Sequence, residues 1–310
     1  MKIVMLYSKS RLRVEDLKKL EDVGATFYEE KGNKLEDIKE LYQDEEVVLG
    51  IAPGWIEGRW EGFTWDKVNK FKNLKAVCTS TTSYGWIPFK ELAKKNIPVC
   101  NVPGKSTDAV AEYYVFMMTA LLRNYPKIIK NNWLSNEAEV GLGTDACGLT
   151  AGIIGLGSIG RKIADLCAGY QMNIKYWSRN KKDCVYEYLD LDELCKKVDV
   201  IFLTTVGDES TRDLINRHRI NLMKKTVIFL TPIDTIAYDK QYLIEKVGKG
   251  EIGGLGFESK TEKVTDFVGN VFPAPELAYY TRQTLEKESK IMTESIMSVV
   301  NSKPVNVVNL

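Results

Sequence analysis

The sequence predicts an α/β protein of two domains, one of them built on a doubly wound parallel sheet. Three observations lead there. The chain is 310 residues long, about two domains of ordinary size. From residue 151 onward, short apolar runs alternate regularly with amphipathic stretches. The first of those runs leads straight into Gly155-Leu156-Gly157-Ser158-Ile159-Gly160, a glycine-rich turn that opens the next helical pattern.

In chain order, the first strands are expected at Ile3–Tyr7, Val47–Ile51, Ala76–Cys78 and Val99–Val102. A long helix is expected from Thr107 to Arg123, because Val110, Tyr113, Phe116, Met117, Ala120 and Leu121 recur at helical spacing. A polar stretch, Lys130–Asp145, separates it from strand Ala151–Leu156 and helix Ile159–Tyr170. Strand Asn173–Trp177 and a helix near Leu189–Lys197 follow, then strands Val200–Thr204, Val227–Thr231 and Ile252–Phe257. These strands are continuous apolar runs, as a parallel sheet covered on both faces requires. An amphipathic helix from Leu285 to Val300 closes the chain.

Composition narrows the function. Hydrophobic residues make up 44% and charged residues 27%, enough to fill a core. Forty-three basic residues face forty-two acidic ones, so the net charge of +1 gives no general pull toward nucleic acid or an acidic membrane. No apolar run approaches the ~20 residues of a membrane helix. Met1–Leu6 is too short for a signal segment and reads as strand. Cys78, Cys100, Cys147, Cys167, Cys184 and Cys195 form no CxxC pair and have no histidine beside them. Reduced, buried thiols in a cytoplasmic protein are the expectation, with no metal site. His218 is the one histidine and falls on a surface helix.

The glycine motif is more than a turn signal in this context. Gly155 permits the tight turn, Gly157 lets backbone approach a pyrophosphate, and the helix N-terminus meets its charge. The domain is therefore expected to be a Rossmann-type dinucleotide binder. About 20 residues on, an NAD site usually has an acid for the ribose 2′-hydroxyl. Here the strand end reads Ser178-Arg179, with Lys181 and Lys182 close behind. A missing carboxylate and a guanidinium fork favour a 2′-phosphate. NADP is thus expected, with NAD as the alternative.

These features resemble the D-isomer-specific 2-hydroxyacid dehydrogenase family. The similarity extends through Ile97–Pro103, Thr107–Glu112, Thr211–Asn216, Leu222–Lys224 and Asn306–Asn309. The resemblance implies a flavodoxin-like substrate domain, residues 1–101 plus 284–310, and a cofactor domain, residues 102–283. It implies an active site in the cleft between them, a small-molecule substrate and a homodimer. It assigns Gly155, Gly157, Ser158, Ile159, Gly160, Ser178, Arg179, Thr205, Val206 and Thr231 to the cofactor. Glu258 stands where the family has an Asp near the nicotinamide amide.

The family's catalytic residues do not carry over. An ungapped count from Met223 to Asp239 puts Asp234 at the position of the arginine that grips the substrate carboxylate. Glu276, after Asn270–Pro275, takes the place of the acid/base histidine. The acid that pairs with that histidine is expected near Glu262, although the ungapped count lands on Lys263. The family's glycine-rich carboxylate loop reads Thr79–Gly85, with Thr81, Thr82 and Ser83 as the substrate-binding positions.

A carboxylate ~4 Å from Asp234 meets repulsion of about 4 kcal/mol at an effective dielectric near 20. A 2-oxo acid in the family's pose is therefore disfavoured. Either Thr79–Ser83 hold the carboxylate, with Lys263 or Arg282 near, or the substrate is neutral or cationic: an aldehyde, ketone, imine or amine. A carboxyl that donates a proton near neutrality must titrate well above ~4.3, which burial and a second carboxylate achieve. Glu276 is expected to be that group, within a cluster including Asp234 and Glu262, and Tyr279 and Tyr280 are spare donors. The expected function is an NAD(P)-dependent oxidoreductase with a non-standard site. The competing expectation is a nicotinamide-binding protein without catalysis.

Overall fold

Two all-parallel sheets carry the chain, seen in a computed structural model that describes residues 1–55, 62–134, 137–232 and 235–310. They belong to two compact units, Met1–Lys105 with Thr281–Leu310, and Ser106–Tyr280.

The first unit is built on β1 (Lys2–Leu6), β2 (Thr26–Phe27), β3 (Val47–Ile51), β4 (Leu74–Thr79) and β5 (Val99–Cys100), in the order β2-β1-β3-β4-β5. Helices α1 (Val14–Asp22), α2 (Trp65–Val68) and α3 (Phe89–Lys94) join them. β1 and β3 are almost wholly buried, and so read as unbroken apolar runs. The strand order reverses between β1 and β3, and in such sheets ligands bind beyond the carboxyl ends of the strands at that point.

The second unit starts with α4 (Thr107–Leu122), α5 (Tyr125–Lys130) and α6 (Glu137–Val140). Ten of the sixteen residues of α4 are buried, because it packs on α7 and on the sheet of this unit. Then come β6 (Thr150–Ile154), α7 (Ser158–Gly169), β7 (Asn173–Trp177), β8 (Glu187–Tyr188), α8 (Leu191–Lys197) and β9 (Val200–Leu203). α9 (Arg217–Leu222), β10 (Ile228–Thr231), α10 (Lys240–Gly248), β11 (Gly254–Glu258) and β12 (Val271–Ala274) complete it. The order is β12-β11-β10-β9-β6-β7-β8, with its switch point between β6 and β9. The chain returns to the first unit through α11 (Arg282–Val300), whose N-terminus is capped by the Thr281 hydroxyl accepting from Thr284 N at 3.2 Å.

Three strands lie outside the sequence expectation. β2 and β8 are two residues each and offer too little periodicity to be read. β12 contains Pro273, which argues against a strand unless it lies on a sheet edge, and β12 is the edge strand. All six cysteines are free thiols, yet Cys147 is exposed and Cys184 half-buried, since both fall on turns flanking the sheet. No helix among the described residues is long and apolar enough to cross a membrane.

Candidate active site

The glycine loop lies at the switch point of the second sheet, between the ends of β6 and β9. Gly155 has φ +100, a conformation that side-chain-bearing residues rarely adopt, and a Cβ there would stand 2.7 Å from Thr205 N. A Cβ on Gly160 would fall 2.2 Å from the Gly155 carbonyl oxygen and 2.7 Å from Thr204 Oγ1, so this glycine lets α7 close against the loop. Gly157 is different. It is the N-cap of α7, and a Cβ there would meet nothing within 4 Å. That open cradle, at the positive end of a twelve-residue helix, is where a pyrophosphate fits.

The surrounding hydroxyls fit a dinucleotide as well. Thr204 Oγ1 donates to the Gly155 carbonyl at 2.8 Å and fixes the loop. Thr205 Oγ1 is buried and has no hydrogen-bond partner among the described residues, an expensive arrangement that a ligand would relieve. Ser178 is buried, and its Oγ accepts from Leu156 N at 3.0 Å, leaving its own proton to donate. Beside it, exposed Arg179 donates to Ser210 Oγ at 2.7 Å. Ser210 in turn donates to Asp208, and those hydrogen bonds hold the Asp208 carboxyl below its usual range, helped by the Arg179 charge. Val206 is exposed, and Thr231 is buried at the end of β10. Ser158 and Ile159 open α7.

Acidic groups gather where β11 and β12 end. Glu258 terminates β11; its Oε1 accepts from Ala278 N at 3.0 Å, and the Tyr114 hydroxyl lies 3.4 Å from its Oε2 while donating to the Thr231 carbonyl at 2.7 Å. Burial holds the Glu258 carboxyl above its usual range, and negative Glu276 adds to the rise. Glu276 is exposed in the turn after β12, with Lys260 Nζ 3.4 Å away. Glu262 has a partner of its own: Lys240 Nζ lies 2.6 Å off and sits over the Phe257 ring. The burial and the carboxylate cluster expected around Glu276 are therefore not found: Glu276 is exposed and ion-paired with Lys260, Glu262 is neutralised by a lysine on α10, and Glu258 is the carboxyl that feels the Glu276 charge. Asp234 lies outside the described residues. Lys263 is exposed, its N–H donating to Asp266 at 2.7 Å. Tyr279 and Tyr280 are exposed with rings 6.0 Å apart, and Arg282 is exposed at the start of α11. His218 is exposed on α9, 3.8 Å from Asp192. No group of three or more His, Cys, Asp or Glu among the described residues could hold a metal ion.

In the first unit the thread after β4 is tied down by its carbonyls. The Thr81 oxygen accepts from Val102 N at 3.3 Å and the Thr82 oxygen from Asn101 Nδ2 at 2.8 Å. The Ser83 oxygen accepts from Thr81 Oγ1 and from Trp86 Nε1. In a trans peptide the C=O and N–H point in opposite directions. The N–H groups of Thr82 and Ser83 therefore face away from these anchors, and they have no protein partner among the described residues. Two adjacent free donors on an exposed loop make a small anion nest.

Several of these contacts escape the sequence. Tyr114 sits on a helix facing the sheet, and nothing in its spacing marks it as the link between Thr231 and Glu258. The Asp208–Thr211 capping box was legible in principle, from a cap residue followed three positions later by a hydroxyl.

Residues 115–270, half of the chain, match the family model described as the D-isomer specific 2-hydroxyacid dehydrogenase NAD binding domain. The chain is 27% identical to glyoxylate reductase 1 of Saccharomyces cerevisiae over 244 residues, covering 74% of this chain and 70% of that one. It is 29% identical to the hydroxypyruvate reductase of Thermotoga maritima over 247 residues, covering 75% and 80%. Among solved structures, an acyclic imino acid reductase in complex with NADPH and D-arginine superposes with a TM-score of 0.85 at 25% identity, covering 99% of this chain and all of that one. The open cradle, the orphaned Thr205 hydroxyl and the matched NAD-binding domain agree on a nicotinamide dinucleotide, NADP or NAD, as cofactor. By its sequence, this chain belongs to the D-isomer specific 2-hydroxyacid dehydrogenase family, a family of oxidoreductases.

Proposed function

We propose that this protein is an NADP-dependent oxidoreductase that moves hydride to or from a small carbonyl, hydroxyl or imine carbon, with Glu276 handling the proton. The observation that carries this reading is the open glycine cradle with the Thr205 hydroxyl beside it, in the same unit as Glu258 and exposed Glu276. When bound, the dinucleotide supplies or accepts hydride at nicotinamide C4. Gly157 and the α7 N-terminus receive the pyrophosphate, and Ser178 with Arg179 receives the 2′-phosphorylated ribose. Glu258 orients the nicotinamide amide, and its half-buried carboxyl, protonated more readily than an ordinary one, can donate a hydrogen bond. Glu276 gives its proton to the oxygen or nitrogen of the reduced centre and takes it back in the reverse direction. Thr81, Thr82 and Ser83 hold a substrate oxygen.

Asp234, at the aligned arginine position, weakens 2-oxo acids and favours neutral or cationic substrates. The NADPH complex of the imino acid reductase supports both the phosphorylated cofactor and an imine. The reductases of yeast and Thermotoga support a carbonyl substrate. The proposed assembly is a homodimer, for which exposed Phe116, Tyr125 and Trp133 of the second unit offer apolar surface.

Glu276→Gln tests the reading. It keeps the shape and removes the titratable group, so turnover should fall by roughly 10²–10⁴ while NADPH binding survives. Undiminished turnover would take Glu276 out of the mechanism and pass the proton to Tyr279, Tyr280 or Lys263.

A further inference from the structure

The first unit buries a charge network for which the proposed reaction has no use. Lys105 ends the first segment of this unit, Glu288 lies on the returning helix α11, and both are almost fully buried. The Lys105 ammonium is ion-paired with Glu288 and donates to the Ser80 carbonyl at 2.6 Å. Tyr7, just past β1, donates to the other Glu288 oxygen. Arg11 Nη2 stands 3.5 Å from that same oxygen, its guanidinium over the rings of Tyr7 and Trp55.

Burying two charges is costly unless their hydrogen bonds are satisfied, and an apolar pair of similar volume would often serve stability as well. The network calls for another explanation, and the Ser80 carbonyl supplies it. Ser80 is the buried first residue of the thread, and Ser80 N is already bonded to the Ile51 carbonyl at 2.9 Å. Lys105 fixes the other side of the same residue. Asn101, Val102 and Lys105 thus form one short segment that anchors three successive carbonyls, those of Thr82, Thr81 and Ser80. Burial pushes the Lys105 ammonium down from its ordinary value, and the Glu288 carboxylate opposes that fall.

We propose that Lys105, held by Glu288 and Tyr7, is a positioning residue of the substrate site: it locks the Ser80 peptide so that the N–H groups of Thr82 and Ser83 face a substrate oxygen. This rests on the reading that Thr81–Ser83 bind substrate. Lys105 touches neither substrate nor cofactor in this role.

The test compares the full-length parent with Lys105→Met and with the double variant Lys105→Met/Glu288→Gln, which removes the fully buried ammonium and carboxylate together and keeps a folded reference if the single change fails. Two readouts are taken. Amide hydrogen exchange over residues 81–84 should accelerate at least tenfold in the double variant while that of α7 stays as in the parent. KM for the carbonyl or imine substrate should rise about tenfold, the loss of one charge-assisted hydrogen bond, with kcat within about twofold and NADPH affinity unchanged. Unchanged exchange at the thread overturns the proposal. So does a fall in kcat at constant KM, or a looser thread with an unaltered KM. A parent without turnover on any substrate would sink the proposed function instead, and the exchange comparison would still decide whether Lys105 holds the thread.

Discussion

Ser178 and Arg179 share the position at which an NAD site keeps a carboxylate. Ser178 braces the loop through Leu156 N, so Arg179 is the group free to meet a 2′-phosphate, at the cost of its bond to Ser210. Arg179→Ala should weaken NADPH roughly 10–100-fold, the worth of a charge-assisted bond, and leave NADH nearly unchanged in a binding titration. Equal losses for both cofactors would refute the role. Glu258 gives a second residue-scale expectation. Its carboxyl titrates above the unfolded value because burial disfavours the charge. The folded state therefore binds a proton more tightly than the unfolded chain. The stability this brings is complete below the unfolded carboxyl value, near 4.3, and is lost as pH rises through the folded one. Glu258→Gln should remove that loss, so its Tm advantage over the parent should grow from pH 4 to pH 7. A constant Tm difference across that range would show that Glu258 carries no such penalty. At this scale the turn formed by Gly155–Gly160 at the head of α7 was legible because the motif fixes it locally. The pairing of Glu262 with Lys240 was not, since it joins α10 to a loop twenty-two residues away and depends on the fold.

At the scale of elements, the β6–loop–α7 unit separates two jobs that the motif writes in one kind of residue. Gly160 is a packing residue: any Cβ there collides with the Gly155 carbonyl, so Gly160→Ala should cost about 1–3 kcal/mol and lower Tm. Gly157 borders open space at φ −81, so Gly157→Ala should leave Tm near the parent's and instead weaken NADPH binding by occupying the cradle. Thermal melts paired with cofactor titrations check both, and a Gly157→Ala variant with full NADPH affinity would move the pyrophosphate elsewhere. β7 was legible to the residue, because Asn173–Trp177 is bounded by the turn after α7, with Gln171 in the left-handed region, and by the polar strand end. β11 begins two residues later than the apolar run suggests, at Gly254, where its pairing with Ile228 of β10 begins. α1 escaped notice, since VEDLKKLED is mostly charged and buries only Asp16 and Leu20.

Over the whole molecule, two parallel sheets of different size each present a switch point, and the glycine loop lies at that of the second sheet, while the thread and the acidic groups lie at the ends of β4, β11 and β12. The thread after β4 belongs to one unit, the glycine loop, Glu258 and Glu276 to the other. Alternating apolar runs made the fold class legible, since continuous hydrophobic strands and a GxGxxG turn admit few other architectures. The reaction is less legible because the sequence has acids at the aligned positions of the family's arginine and histidine, and the partners of such charges, as Lys260 for Glu276, are set by the fold. The central claim is that a dehydrogenase scaffold has exchanged a cationic substrate grip for an acidic one. It is tested most directly by following NADPH and NADH absorbance with glyoxylate, pyruvate and hydroxypyruvate against neutral aldehydes and ketones and imines formed from an amine and a carbonyl. Faster turnover of the neutral or imine substrates, with NADPH preferred, is the predicted result; fast turnover of glyoxylate, pyruvate or hydroxypyruvate at low millimolar concentration would contradict it.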